Sequence, residues 1–226
     1  MIRLVLFDID GTLIQSGDAG EKAFARVCAQ EFKVANGTER LHFAGRTDPS
    51  IVREFFQRHG IEPSPRNFER FFDSYVFWLD HLLGETKGRV LPGVSHMVST
   101  LGSLRKPPVL GLLTGNVRLG AQIKLGHYQL WSKFQIGAFG DDHEDRNEIA
   151  AIARRRGGEF LGTELAGEQI LVIGDTPLDI ACAKAIGAKA LAVATGSYSL
   201  AQLREHAPNW AVSDLEGVCI HEVASA

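Results

Sequence analysis

Two aspartates stand two residues apart directly after the first apolar run of the chain. Asp8 and Asp10 follow residues 4–7 and precede Gly11 and Thr12. Two carboxylates so close repel each other, unless one takes up a proton or a cation holds both. A hard divalent cation with oxygen ligands answers that problem, and magnesium suits a site that also holds phosphate. Taken alone, the pattern also fits a plain turn at Gly11 with a surface acid before it.

A hydroxyl and an amide side chain follow a second apolar run. Thr114, Gly115 and Asn116 come directly after residues 109–113, and a helical pattern begins behind them. Backbone N–H groups at the start of a helix bind phosphoryl oxygens, and a hydroxyl adds a further donor. This turn therefore predicts a phosphate-binding segment with free backbone N–H groups.

Two more carboxylates stand after a later apolar run. Asp175 follows residues 169–173 and Gly174, and Asp179 lies about one helical turn further along the chain. Either carboxylate could complete the oxygen shell of a magnesium ion.

Short β-rich runs alternate with helical patterns, and this alternation explains how the polar side chains could meet. Continuous apolar runs suit strands that are buried on both faces, as in parallel sheets. The sequence predicts such strands at residues 3–9, 109–113, 134–139, 169–173 and 190–194. We expect an α/β fold with a doubly wound, Rossmann-like parallel sheet and right-handed crossovers. Ligands bind at the carboxyl edge of such sheets, where both pairs of acids and Thr114 are expected.

The long interval between the first and second predicted strands reads as helices. Their starts are marked by a capping-box pair or by a polar residue before proline: Asp18 with Glu21, Asp48 with Pro49, and Ser64 with Pro65. Aromatic and aliphatic residues recur there at helical spacing, which indicates a packed core rather than a ligand site. We predict an inserted all-helical cap domain at residues 15–88 and a core domain built from residues 1–14 and 89–226.

Composition narrows the class of protein. A formal net charge of -3 and a pI near 6.2 offer no basic surface for nucleic acid. The three cysteines are far apart and outside any metal spacing, so a reducing cytoplasm fits better than a disulfide framework or a zinc site. The apolar run at residues 4–7 is too short for a signal peptide or a membrane span. The eight histidines are scattered, and no metal pair is expected among them.

Taken in order, these segments resemble the motifs of the haloacid dehalogenase-like hydrolases, in their helical-cap subgroup. The matching residues are Asp8, Asp10, Gly11, Thr12, Thr114, Gly174, Asp175 and Asp179. The resemblance covers essentially the whole chain, including a cap placed between the first and second motifs. It implies a phosphatase similar to phosphoglycolate phosphatases, acting on a small phosphorylated metabolite.

The resemblance also implies a covalent mechanism. Asp8 would attack phosphorus, and Asp10 would protonate the leaving oxygen and then activate water against the aspartyl-phosphate. Magnesium would be held by Asp8, the backbone carbonyl of Asp10 and Asp175, with Asp179 assisting directly or through water.

The basic residue of the third motif departs from the family pattern, which usually has lysine. The chain has no lysine between Lys133 and Lys184, and Arg146 is the best substitute. Asp145 and Glu148 form a capping-box pattern that would place Arg146 in the first turn of a helix. A guanidinium suits phosphate, so Arg146 and the second-motif turn would balance charge on the phosphoryl oxygens. The alternative is a solvated helix residue among neighbouring acids.

Arg46 is the candidate for substrate recognition in the cap. It follows Gly45 in a loop that precedes a capped helix. Its guanidinium could bind a second anionic group of the substrate, such as the carboxylate of phosphoglycolate. An isolated arginine more often pairs with an exposed acid and contributes little.

Other activities share parts of this pattern. A sugar-phosphate mutase of the same superfamily would have the same core motifs, and only product analysis separates it from a phosphatase. A 2-haloacid dehalogenase also uses an aspartate nucleophile but needs neither the leaving-group acid nor magnesium, so Asp10 disfavours it. A phospho-acceptor module without turnover is a further alternative, and the cap and the acid-base pair disfavour it.

Overall fold

A six-stranded parallel sheet forms the centre of the chain in a computed structural model that describes residues 1–225. The strand order is β5-β4-β1-β6-β7-β8, and β1 pairs with β4 on one side and β6 on the other. The strands are β1 (Leu4–Phe7), β4 (Val109–Leu113), β5 (Ile136–Ala138), β6 (Ile170–Gly174), β7 (Lys189–Val193) and β8 (Trp210–Val212). The predicted α/β fold with a parallel sheet is confirmed.

Helices cover both faces of the sheet, because successive side chains of each strand point to opposite sides. Val5 and Phe7 pack in one core with residues of α4, α5 and α9, whereas Leu4 and Leu6 pack in a second core with residues of α6, α7 and α8. These helices are α4 (Val94–Gly102), α5 (Arg118–His127), α6 (Arg146–Leu161), α7 (Pro177–Ala185), α8 (Leu200–Glu205) and α9 (Ile220–Ser225). The sheet is therefore doubly wound, as the uninterrupted apolar runs predict.

The chain leaves the sheet after β1 and returns to it along a short antiparallel ribbon. In this ribbon β2 (Ile14–Gln15) pairs with β3 (Arg89–Val90). Between these two strands lie α1 (Ala19–Glu31), α2 (Asp48–Arg58) and α3 (Pro65–Glu85). The three helices enclose their own aromatic core, in which Phe24, Phe71 and Tyr75 pack together. The inserted helical unit is confirmed, and its division from the core domain at residues 15 and 88 stays a prediction.

The observed helices begin close to the predicted positions, but the residues before them do not all make the predicted capping hydrogen bonds. α1 begins after Asp18, but Asp18 has a φ of 64° and its side chain makes no capping hydrogen bond, so the capping box predicted there is wrong. A residue in that left-handed conformation does not present its carboxylate to the first N–H groups of the helix. Asp145 does cap α6, since its carboxylate accepts a hydrogen bond from Asn147 N at 2.8 Å.

Two parts of the fold lie outside the sequence prediction. β8 is three residues long and partly buried, so it carries no uninterrupted apolar run. The β2–β3 ribbon pairs strands of two residues each, which is too short for a periodicity to be recognised. No helix within residues 1–225 is long and apolar enough to cross a membrane.

Candidate active site

The carboxyl end of β1 places the first pair of acids at the edge of the sheet. Asp8 directly follows β1, and its N–H still donates to Ile173 O of β6 at 3.0 Å. The chain then turns at Gly11, which has a φ of +77°. A side chain at Gly11 would also collide with the carboxylate of Asp175, so glycine is required for both backbone conformation and space.

Three buried carboxylates meet at this edge. Single oxygens of Asp8, Asp175 and Asp179 all lie within 4.8 Å of one another. Burial raises the pKa of Asp8 to about 7, although the guanidinium of Arg146 opposes the shift. Burial and the charges of Asp179 and Asp8 raise the pKa of Asp175 well above its usual value. Clustered carboxylates of this kind repel each other, and their oxygens are the ligands that a hard divalent cation prefers. The residues therefore fit a divalent metal ion.

Asp179 has the least spare hydrogen-bonding capacity of the three. Its Oδ2 accepts bonds from Thr176 N at 3.0 Å and Thr176 Oγ1 at 2.7 Å, and its Oδ1 is paired with Arg146. Asp175 is held more lightly, since Oδ1 accepts from Thr12 Oγ1 at 3.2 Å. Of the two, Asp175 thus offers the freer carboxylate for a cation.

Arg146 is the first residue of α6 and lies against the acids. The residue is 7 % exposed, and a terminal nitrogen lies 3.6 Å from Asp8 Oδ1 and is hydrogen-bonded to Asp179. Its other terminal nitrogen donates to Gly45 O at 3.1 Å. Asp145 caps α6 and so fixes the start of the helix at Arg146. Arg146 is therefore not a solvated helix residue, and its role toward phosphate stays a prediction.

The second predicted segment lies beside the acids and is linked to them. Thr114 Oγ1 accepts from Asn116 Nδ2 at 2.9 Å, and the same amide donates to Asp10 Oδ2 at 2.9 Å. Thr114, Gly115 and Asn116 all line the cavity that contains Asp8. The structure thus brings together the predicted residues of the first, second and fourth motifs.

The start of α5 is less available than the sequence indicates. Val117 N donates to Asp48 Oδ2 at 2.9 Å, and Arg118 N donates to the carboxylate of Asp141 at 3.0 Å. These two residues directly follow the predicted segment. Within the segment, Thr114 N donates to Ala138 O at 3.2 Å and Asn116 N donates to Thr114 Oγ1 at 3.3 Å, so the expectation of free backbone N–H groups is wrong for Thr114 and Asn116. Carboxylates from α2 and from a loop take the positions where an anionic ligand would bind a helix start.

Lys124 is a site residue that the sequence reasoning missed. The residue is only 4 % exposed, and Nζ donates to Asp10 Oδ2 at 2.6 Å and to Asn116 Oδ1 at 2.7 Å. Lys124 lies on the buried face of α5, beside Ala121 and Leu125. The position of this lysine on the apolar face of a helix could have identified it from the sequence, because a buried ammonium needs a buried partner.

Asp48 is a second missed residue, and it joins the helical unit to the sheet edge. Its carboxylate accepts from Val117 N, and its own N–H donates to Gly115 O at 2.8 Å. Burial raises the pKa of Asp48 to about 7, while Lys124 and the bond from Val117 act in the opposite direction. A carboxyl group that is buried in this way opposes folding when it is ionised.

Asp48→Asn is expected to stabilise the protein, and more so at higher pH. The unfolded carboxyl ionises near pH 4, whereas the folded one keeps its proton until pH rises to about 7. The free energy of unfolding of the wild type therefore decreases as pH rises from about 4 to about 7. The neutral amide of Asp48→Asn avoids that loss, and its oxygen still accepts the hydrogen bond from Val117 N. Urea unfolding at pH 5, 6, 7 and 8 measures the difference in free energy of unfolding between Asp48→Asn and the wild type. We expect this difference to grow with pH to a few kcal/mol. A difference independent of pH would contradict the assignment, and Asp80→Asn on the exposed face of α3 is the control.

Arg46 is engaged within its own helical unit. Its guanidinium pairs with Glu54 and donates to Ser50 O at 3.2 Å. The bond from Arg46 lowers the pKa of Glu54 despite some desolvation. Arg46 also lines the cavity, but its charge is already balanced there. The geometry favours the alternative in which Arg46 pairs with an acid of the cap.

One cavity of about 310 Å³ lies between the sheet edge and the helical unit, and it is lined by the missed residues and by all the predicted site residues except Asp179. Asp8, Asp10, Arg146 and Asp175 line it from the sheet, and Phe24, Phe43 and Tyr75 line it from the helical side. Its size suits a small molecule. It combines a buried carboxylate that can act as a nucleophile, a second carboxyl that can exchange a proton and a fixed cationic group.

A doubly wound sheet with buried aspartates at its carboxyl edge, closed by a helical insertion, defines a capped α/β enzyme. The chain belongs to the haloacid dehalogenase-like hydrolases, because the model of that family matches residues 5–193. This match confirms the resemblance of the motifs. No curated protein sequence matches the chain.

Solved structures share the fold over nearly the whole chain. A predicted phosphoglycolate phosphatase from Haemophilus somnus 129PT has a TM-score of 0.72 at 19% identity, covering 98% of this chain and 97% of its own. A predicted phosphatase from Clostridium acetobutylicum has a TM-score of 0.74 at 18% identity and covers 100% of both chains. A β-phosphoglucomutase candidate from Bacteroides vulgatus has a TM-score of 0.71 at 19% identity, covering 95% of this chain and 85% of its own. The helical insertion is thus part of a fold that these proteins share.

Proposed function

We propose that this hydrolase is a magnesium-dependent phosphatase, which cleaves a small phosphate monoester through an aspartyl-phosphate on Asp8. The observation that carries the proposal is the setting of the Asp8 carboxylate. It lies at the end of β1, 3.6 Å from the guanidinium of Arg146 and two residues before Asp10, in a cavity of about 310 Å³. A carboxylate placed beside a fixed cation can approach a phosphate that would otherwise repel it.

The reaction would proceed in two displacements. In the first, an oxygen of Asp8 forms a bond to phosphorus as the bond to the ester oxygen breaks, and Asp10 gives its proton to that oxygen. In the second, the Asp10 carboxylate takes a proton from water as the water oxygen attacks phosphorus. Phosphate leaves, and the Asp8 carboxylate is restored. Each displacement is easier than direct attack of water on the ester.

The phosphate would be held by residues of the second and third motifs. Arg146 supplies a permanent charge with a planar set of donors, and Thr114 supplies a hydroxyl. Gly115 and Asn116 line the same part of the cavity. Because the helix start behind them is occupied by Asp48 and Asp141, we assign the charge balance mainly to Arg146.

Magnesium would be held by Asp8, Asp175 and the backbone carbonyl of Asp10, with Asp179 contributing directly or through water. The close approach of three carboxylates supports this assignment. When bound, the ion would neutralise part of the charge on nucleophile and phosphate. Asp179 would mainly orient Arg146, since both of its oxygens already accept hydrogen bonds.

The substrate is proposed to be a small phosphorylated metabolite. Fold neighbours described as predicted phosphatases support this class, and one of them is described as a predicted phosphoglycolate phosphatase. Recognition of a substrate carboxylate by Arg46 would require the guanidinium to leave Glu54. A sugar-phosphate mutase stays the second candidate, because a fold neighbour is described as a β-phosphoglucomutase.

Phosphate release from a substrate panel tests the proposal. We expect release with magnesium and almost none after metal removal with EDTA, with activity restored when magnesium is added back. The panel holds an aryl phosphate, phosphoglycolate, sugar phosphates and nucleoside monophosphates. Isomerised ester without phosphate would indicate a mutase. Stable labelling of Asp8 without turnover would indicate a phospho-acceptor.

Metal binding has its own readout, independent of turnover. Magnesium should raise the thermal unfolding midpoint of the protein, because a ligand that binds only the folded state stabilises it. Asp175→Asn should reduce this shift, whereas Asp80→Asn on the exposed face of α3 should leave it unchanged. An equal shift in all three proteins would contradict the proposed ligand set.

A further inference from the structure

The contact between Lys124 and Asp10 has no role in the reaction proposed above. The Lys124 side chain is 5 % exposed and that of Asp10 is 42 % exposed, so the ammonium is buried while the carboxylate faces the cavity. Burying an ammonium costs free energy unless it is paired and hydrogen-bonded. Both conditions are met here, by Asp10 and by Asn116.

Lys124 acts on the acid-base residue and not on the nucleophile. Among residues 1–225, the cationic side chain within 4.0 Å of the Asp8 carboxylate is Arg146, whereas Nζ of Lys124 reaches Asp10. The third-motif position is therefore already filled by Arg146. Because Arg146 contacts Asp8 and Lys124 contacts Asp10, the two cations have different roles.

The two bonds to Asp10 select one of its oxygens. Lys124 Nζ and Asn116 Nδ2 both donate to Oδ2, at 2.6 and 2.9 Å. No donor among the described residues is hydrogen-bonded to Oδ1. Lys124 and Asn116 are also bonded to each other, so the three side chains form a closed set. A carboxyl group held by one oxygen in this way has a fixed rotamer and presents its other oxygen to the cavity.

The surroundings of Lys124 keep it in place. Gly20 of α1 lies beside it, and a methyl group on Gly20 would be 3.5 Å from Nζ and 3.6 Å from the hydroxyl of Tyr75. The low-dielectric setting strengthens the attraction between the ammonium and Asp10. Other ionisable groups nearby are Asp48, Glu21 and Tyr128. Burial raises the pKa of each of them, and the charge of Lys124 acts in the opposite direction.

We propose that Lys124 is a positioning residue that holds Asp10 Oδ2, so that Oδ1 carries out proton transfer. In the first displacement, Oδ1–H gives its proton to the oxygen that leaves phosphorus. In the second, Oδ1 takes a proton from the attacking water. This inference rests on the proposed phosphatase function and assigns a role that the family motifs leave out.

The test uses substrates that differ in their need for a proton. An alkyl phosphate leaves as a strongly basic alkoxide unless it is protonated, whereas nitrophenyl phosphate leaves as a stabilised anion. Lys124→Met keeps an unbranched side chain, one heavy atom shorter, and removes the charge. We expect kcat/KM for the alkyl ester to fall about 100-fold, and that for the nitrophenyl ester to change less than about threefold, on the scale of general acid catalysis. The value of kcat/KM reports only the steps up to release of the leaving group.

The second displacement gives an independent readout. With nitrophenyl phosphate, Lys124→Met should show a rapid burst of nitrophenolate close to one per active site, because hydrolysis of the phosphoenzyme also needs Asp10. Asp10→Asn should show the same selectivity between substrates. Lys133→Met, at an exposed lysine, is the matched control and should behave like the wild type.

A structural role for Lys124 would give a different pattern. An equal loss on both esters, or no loss on either, would overturn the proposal while Asp8 chemistry still stood. Lys124→Arg keeps the charge and is expected to restore selectivity toward the wild-type value. If Lys124→Met does not fold by circular dichroism and urea unfolding, Lys124→Gln replaces it in the test, since it also removes the charge and is expected to weaken the alkyl reaction more than the nitrophenyl reaction. Inactivity of the wild type on every ester would instead refute the proposed function.

Discussion

Asp8→Asn is expected to abolish phosphate release while the protein stays folded. The amide matches the carboxyl in size but cannot form the acyl phosphate, so the covalent route is lost. Removal of one charge from the cluster of Asp8, Asp175 and Asp179 should not weaken the fold, because burial already disfavours the ionised form of Asp8. Phosphate release with magnesium and thermal unfolding are measured on the same preparation.

Two comparisons make this result specific. Asp80→Asn makes the same chemical change at an exposed position of α3, and it should keep wild-type activity. Trapping the wild type with labelled substrate should place phosphate on Asp8, and no label should appear on the variant. Substantial turnover by Asp8→Asn would refute the covalent scheme, whatever the identity of the substrate.

Arg146→Ala is expected to lower kcat by about 10³-fold or more, as when a cationic partner of the transferring phosphoryl group is removed. The guanidinium lies 3.6 Å from Asp8 and pairs with Asp179, so its loss leaves buried carboxylates without their cation. Breaking such a pair costs about 3–5 kcal/mol, and some loss of stability is also expected. Steady-state kinetics and urea unfolding separate the two effects.

Arg146→Lys distinguishes charge from geometry. It restores a positive charge of the type that the family usually has at this motif, but not the planar set of donors that contacts both Asp179 and Gly45. We expect activity between those of wild type and alanine variant, with most of the stability recovered. Arg155→Ala, on the same helix but exposed and paired with Glu159, should leave activity unchanged. A near-normal rate for Arg146→Ala would show that the residue has no role in the reaction.

The sequence alone predicted the fold class and most of the polar residues that meet at the edge of the sheet. Uninterrupted apolar runs such as Leu4–Phe7 predicted strands buried on both faces, because local periodicity reports which faces of an element are covered. In a parallel sheet all carboxyl ends lie at one edge, so residues as far apart as Asp8 and Asp175 had to meet. The cap that Asp145 forms on α6 is likewise local, and it placed Arg146 correctly in the first turn of a helix.

Only the tertiary structure decided which partner each polar side chain takes. The motif spacing does not distinguish Lys124 from the other lysines. Lys124 becomes a site residue because α5 packs against the sheet edge and brings Nζ to 2.6 Å from Asp10 Oδ2. Asp48 looked like a helix-start residue, but the approach of α2 to the turn at Gly115 buries it and gives it Val117 as donor. Arg46 was predicted to bind a substrate, and only the structure shows that Glu54 of α2 is its partner within the protein. Such pairings depend on long-range packing and on the cost of burying a charge, which residue spacing does not encode.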